Sequence, residues 1–287
     1  MCSEQVSSDN AFKSIYLNIV IDEDPITQAA IDYALYFCDA QKAHLTVDLT
    51  TTIIDMPSGY LLPAIDEALR VLNDERRKKA AHVQQQIELA AQLSGIAIDC
   101  HVVRAAYAQI RDRFVMTARL SDLCVLSMPG GILPTKNDIL EDILFGSGRP
   151  VIVVPTQFVR QPSLEHTAVA WDGSREAARA IGDAIPLLKD AHTIEILCVE
   201  SDQSEQGGAG TDLARRLGRH CSGALKLVEL PLTESDAGSI LRAHLEAAAP
   251  DLLVMGAYGH SRFREFLLGG VTRTLLRDSK VPLFCSH

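Results

Sequence analysis

Four glycines, Gly256, Gly259, Gly269 and Gly270, cluster in the stretch DLLVMGAYGHSRFREFLLGGVTRT (251–274), beside an apolar run and with Arg262, Arg264 and Arg273 close by. Glycine lets a backbone approach a phosphate without a Cβ in the way and take positive φ. A helix opening at Gly269-Gly270-Val271-Thr272 would add unpaired N–H groups and the positive end of its dipole, with the Thr272 hydroxyl in its first turn. That chemistry is phosphate binding. The plainer alternative is a flexible turn, two of whose glycines serve close helix–sheet packing. The spacing is neither GxxxxGK[ST] nor GxGxxG, which excludes a P-loop and a dinucleotide fingerprint.

The elements that must position these residues alternate short β-branched runs with amphipathic helical segments, an α/β pattern with a mainly parallel sheet. Strands are expected at 14–21, 43–50, 96–103, 122–127 and 150–155, and again at 166–171, 193–200, 224–230, 251–256 and 281–286. Helical periodicity runs through Ile26, Ala29, Ala30, Tyr33, Ala34, Phe37 and Cys38, and through Ala177, Ile181, Ala184, Ile185 and Leu188. Ser174 or Asp172 is positioned to cap the second of these. DLCVLS and DLLVMG each open a fourth strand with Asp-Leu, so one unit is written twice, as a domain duplication and not a solenoid. The expected domains are 1–156 and 164–287, the first enlarged by a loop and a long charged helix across 56–93.

Wound parallel sheets bind ligands beyond the carboxyl ends of strands, where the winding direction reverses. In the second half those ends carry Asp172 and Gly256. The first half keeps Gly130-Gly131 and Gly146-Ser147-Gly148 but not the long spacing, and Pro129 and Pro134 stiffen it. Asp138, Glu141 and Asp142 would repel a phosphate there. Asp22, Glu23 and Asp24 read equally well as a solvated strand end.

Composition narrows the class. A formal net charge of −10 argues against general affinity for nucleic acid or an anionic membrane. No stretch reaches the roughly 18 apolar residues of a membrane span, and the N-terminus has neither a basic start nor an apolar core, so a cytoplasmic protein is expected. Seven scattered cysteines without a CxxC pair read as buried thiols, and the nine histidines show no metal-ligand spacing.

The motif Gly256-x2-Gly259-x9-Gly269-Gly270-Val271-Thr272, with Val169-Ala170-Trp171-Asp172-Gly173-Ser174 before it, resembles the ATP-binding class of universal stress proteins. The resemblance covers essentially the whole chain as a tandem of two domains, and is specific in the second half. It implies, for each, an open five-stranded parallel sheet of order 3-2-1-4-5 flanked by helices, similar to adenine nucleotide alpha hydrolases. It implies one ATP, with Mg2+ as an optional companion. Ala170, Asp172, Ser174, Val199, Met255 and Gly256 would lie about the nucleoside, and Gly259, His260, Arg262, Gly269, Gly270, Val271 and Thr272 about the phosphates. Gly270 stands where the family usually has Ser or Thr, and Arg262 where glycine is common. The resemblance also implies joining of the two halves through their fifth strands, as a pseudo-dimer within one chain, with homodimerisation left open.

A hydrolase needs a positioned base and usually metal-binding carboxylates. Only His260 and Glu265 stand near the loop. The expectation is therefore a nucleotide-binding stress-response regulator, with slow ATP hydrolysis or self-phosphorylation as one alternative. An interaction module, its first domain binding another ligand or partner, is the other.

Overall fold

The computed structural model describes residues 12–21, 28–52, 63–105, 107–128, 135–200, 209–232, 236–258 and 270–287. Ten strands alternate with eight helices in these segments: β1 (Ser14–Val20), α1 (Gln28–Gln41), β2 (His44–Thr52), α2 (Pro63–Leu93), β3 (Ile98–Ala105), α3 (Tyr107–Arg119), β4 (Leu123–Ser127), α4 (Thr135–Ser147) and β5 (Val151–Val154) form the first half. The second comprises β6 (His166–Ala170), α5 (Arg175–Leu188), β7 (Thr193–Val199), α6 (Ala209–Leu217), β8 (Ala224–Leu230), α7 (Ala237–Ala248), β9 (Leu252–Gly256), α8 (Gly270–Asp278) and β10 (Leu283–Ser286). Every strand lies within two residues of its expected position.

The strands form one sheet in the order β3-β2-β1-β4-β5-β10-β9-β6-β7-β8. Each half is parallel in the order 3-2-1-4-5. The sheet is mixed because the halves meet antiparallel, Val153 opposite Leu283 and Val151 opposite Cys285. Period-two alternation divides the buried side chains between two faces. Ile15, Leu17, Val47, Val169 and Ile196 pack under α1, α2, α5 and α6, while Cys124, Val153, Ala168, Leu253 and Met255 pack under α3, α4, α7 and α8.

The duplication has a common anchor. Asp122 Oδ2 accepts from the Lys13 and Ser14 amides at 2.8 and 3.0 Å, and Asp251 Oδ2 from the His166 amide at 3.0 Å. Each aspartate thus clips the start of its fourth strand to the start of its first, which makes Ser14 the counterpart of His166. Counted from there, Val20 holds the register of Asp172. Asp22, which also follows its first strand, lies outside the described residues.

The halves also touch away from the sheet. Tyr33 donates to the Asp251 carbonyl at 3.1 Å, and Arg160 donates to the carbonyls of Ala249 and Pro250 at 2.8 and 2.6 Å. Arg160 therefore satisfies carbonyls at the C-terminal end of α7, where orphan acceptors collect.

Candidate functional site

β6 ends at Ala170 and turns into α5 through Trp171, Asp172, Gly173 and Ser174. Asp172 Oδ1 accepts the Ser174 amide at 2.9 Å, an Asx turn, and Gly173 at φ +76° takes the left-handed conformation that the turn needs. Ser174 Oγ then accepts the Ala177 amide at 3.1 Å and caps α5. Of the two expected capping residues Ser174 is the cap, and Asp172 braces it. Asp172 is exposed, and its Asx bond uses one carboxylate oxygen.

Gly256 closes β9 directly against that cap. A Cβ on Gly256 would lie 2.4 Å from the Ala177 nitrogen and 2.6 Å from the Glu176 carbonyl carbon. The residue is glycine because a strand end meets the first turn of a helix, which is the packing role. That contact brings the ends of β6 and β9 together, with β6 paired to β9 on one side and β7 on the other. The winding reverses here. Beside the junction Glu176 is nearly buried and ion-paired with Arg175. Burial raises its pKa, but the Arg175 hydrogen bond and charge, with His287 nearby, hold the carboxyl below the ordinary glutamate range.

Between the strand ends lies an apolar floor. Ala170, Val199, Leu230 and Val271 are partly buried and pack against the core on the α3, α4, α7 and α8 face of the sheet, to which Met255 belongs. Leu230, opposite Val199 on β8, escaped the sequence reading. Strand pairing exposes it as the next residue of the same surface.

α8 begins at Gly270, which is exposed and has open space where a Cβ would stand. Thr272 is 5% exposed, and its Oγ1 accepts the Tyr258 amide at 3.4 Å. The hydroxyl thus ties Tyr258, two residues past β9, to the start of α8, keeping its own proton to donate. Gly259, His260, Arg262 and Gly269 lie outside the described residues, as does Glu265.

The corresponding surface of the first half is polar. In the register of Ala170, Leu197 and Val199 stand Asn18, Asp48 and Thr50. Asp48 is fully buried and takes both oxygens of its carboxylate to Arg113, with Nε at 3.0 Å and Nη2 at 2.8 Å, and accepts from the Tyr16 hydroxyl at 3.1 Å. Asn18 Nδ2 donates to the Asp48 carbonyl and to Thr50 Oγ1. Burial first, then the Asp48 charge, drives the Tyr16 pKa well above its ordinary value. A base-sized apolar floor is absent from this part of the described sheet. The acidic residues expected to repel phosphate do other things: Asp142 pairs with Arg111, and Glu141 reaches Tyr258 of the second half. The side chain of Asp138 lies outside the description.

At the opposite, amino end of the second half, Glu195 sits between His166 Nε2 at 3.3 Å and His244 Nε2 at 3.0 Å. Among the described residues no three His, Cys, Asp or Glu side chains are placed to hold a metal ion. No described helix is long and apolar enough to cross a membrane.

The doubly wound α/β sheet has the fold of solved universal stress proteins. One from Archaeoglobus fulgidus aligns at a TM-score of 0.67 with 17% identity over 94% of this chain and 97% of its own. A Pseudomonas aeruginosa protein aligns at 0.57 with 14% identity over 96% and 94%. At these identities the likeness is one of fold. Residues 164–287 match the family model for the universal stress protein family. A universal stress protein of Synechocystis is 27% identical over 146 residues, which is 50% of this chain and 49% of that protein, so the match spans about half the length of that relative.

Proposed function

We propose that the second half binds one ATP at the carboxyl ends of β6, β7 and β9. The observation that carries this reading is the contact of Gly256 with the first turn of α5, which sets Asp172 beside a partly exposed apolar floor. The floor of Ala170, Val199, Leu230 and Val271 suits the face of a purine. The second oxygen of Asp172 suits a ribose hydroxyl. The first-turn amides of α8 and the Thr272 hydroxyl suit phosphate oxygens, since a helix start supplies unpaired N–H donors. The resemblance assigns the remaining phosphate contacts to Gly259, His260, Arg262 and Gly269, with Mg2+ as an optional companion. The first half, floored by Asp48 and Arg113, holds no ATP.

On this reading the chain is two units, 1–156 and 164–287, coupled as a pseudo-dimer through β5 and β10. It serves as a cytoplasmic nucleotide-binding regulator and not as an efficient catalyst. Mass analysis of nucleotide released from heat-denatured, freshly purified protein tests it. ATP should be recovered at about one per chain, and Asp172→Ala or Gly269→Glu should abolish the recovery. Loss with Asp22→Ala in place of Asp172→Ala would move the site to the first half. Steady ADP release that disappears in His260→Ala would make the protein an enzyme.

A further inference from the structure

Tyr258 stands at the exit of β9 with φ +58°, a left-handed conformation that costs a non-glycine residue free energy and persists only where its surroundings enforce it. The backbone of Ala257 and Tyr258 is held by three hydrogen bonds. The Ala257 amide donates to the Ser286 carbonyl at 2.9 Å, His287 Nδ1 donates to the Ala257 carbonyl at 3.0 Å, and the Tyr258 amide reaches Thr272 Oγ1 at 3.4 Å. The side chain is held by the other half of the chain. The Phe145 ring of α4 lies 5.1 Å from the Tyr258 ring and 4.5 Å, edge-on, from His287. One turn earlier on α4, Glu141 hydrogen-bonds the Tyr258 hydroxyl. The positions i and i+4 lie on one helix face, so a single face of α4 grips both the ring and its tip. Burial, followed by the charge and hydrogen bond of Glu141, raises the Tyr258 pKa far above its ordinary value, so the phenol stays the donor at any working pH.

We infer that Phe145 and Glu141 of the first half are positioning residues for the site in the second half, acting by holding Tyr258 left-handed so that it fixes Thr272 and the start of α8. The first half thus braces its neighbour's site in cis. This rests on the ATP reading above, and the experiment separates the two.

Four proteins are compared by ATP titration: wild type, Phe145→Ala, Tyr258→Gly and the double variant. Glycine takes positive φ without steric cost and so needs no holding. Phe145→Ala should weaken ATP binding roughly tenfold, about 1.4 kcal/mol. Tyr258→Gly in that background should restore most of the affinity. Unchanged affinity in Phe145→Ala overturns the inference, and so does a loss that glycine fails to restore. Should Phe145→Ala not fold, Tyr258→Phe keeps the ring and removes only the hydroxyl. A loss of roughly threefold supports the inference, and wild-type affinity overturns it. If wild type itself binds no ATP, the functional reading falls. Amide exchange in the ligand-free protein then decides: Phe145→Ala should speed exchange at Tyr258 at least tenfold, and unchanged protection refutes the positioning role.

Discussion

Replacing Gly256 by alanine is the sharpest probe of how the site is assembled. The added Cβ would meet the Ala177 nitrogen at 2.4 Å and the Glu176 carbonyl carbon at 2.6 Å, where ordinary contact begins near 3.4 Å. Both obstacles are backbone, so neither can rotate away. Either the first turn of α5 or the end of β9 must retreat by about an ångström. Overpacking of this kind costs about 1–3 kcal/mol, and rigid backbone obstacles place Gly256→Ala at about 3. Gly270→Ala is the matched control, because it adds the same methyl to open space at the start of α8. It should be neutral, or stabilising by up to about 0.5 kcal/mol through reduced freedom of the unfolded chain. Urea unfolding followed by the fluorescence of Trp171, the only tryptophan and the neighbour of Asp172, reads both variants. Gly256→Ala should also weaken nucleotide retention, since Asp172 and Ser174 move with the helix. A Gly256→Ala protein within about 0.5 kcal/mol of wild type, the usual span of a harmless surface change, would refute the packing argument.

Arg113→Leu should destabilise the first half by about 3 kcal/mol, because it strips the partner from the fully buried Asp48. Changing Asp48 to leucine as well should recover most of that loss, which thermal unfolding of both variants will show. Glu195 has a lowered pKa: burial pushes it up, but the hydrogen bonds and charges of His244 and His166 win. Its contribution is therefore complete above the ordinary glutamate value and lost as pH falls through the lowered one. Melting temperatures measured from pH 6 down to pH 3 should fall less steeply in Glu195→Gln. Burial drives the thiol pKa values of Cys38, Cys124 and Cys285 up to about 12. Alkylating reagents at pH 8 should therefore label these three only after unfolding, which mass spectrometry of native and denatured samples can check.

The strand positions were legible because alternation and length are local properties, and the Asp-Leu openings of β4 and β9 marked the duplication. Site geometry was less legible where it depends on a partner from far along the chain. Spacing offered Gly256 as a phosphate glycine or a packing glycine, and only the arrival of α5 decides for packing. Thr272 read as a first-turn hydroxyl for a phosphate, yet the Tyr258 amide donates to it from 14 residues away. Asn18, Asp48 and Thr50 looked like ordinary strand residues until Arg113, 65 residues on from Asp48, was seen to neutralise the group. Ile185 was expected in the core of α5, but Leu187 is buried there, a shift within the last turn, where Pro186 sits.

The antiparallel seam at the middle of the sheet has a consequence for biosynthesis. β10 is tenth in chain order but sixth in space, so β5 waits for its neighbour until the entire second half has been made. During that interval VIVV, wholly buried in the finished fold, is a bare apolar edge of the kind that recruits foreign strands. Delay or damage at Leu283–Ser286 would therefore strike the first half, leaving its sheet unsealed although that half had been synthesised first.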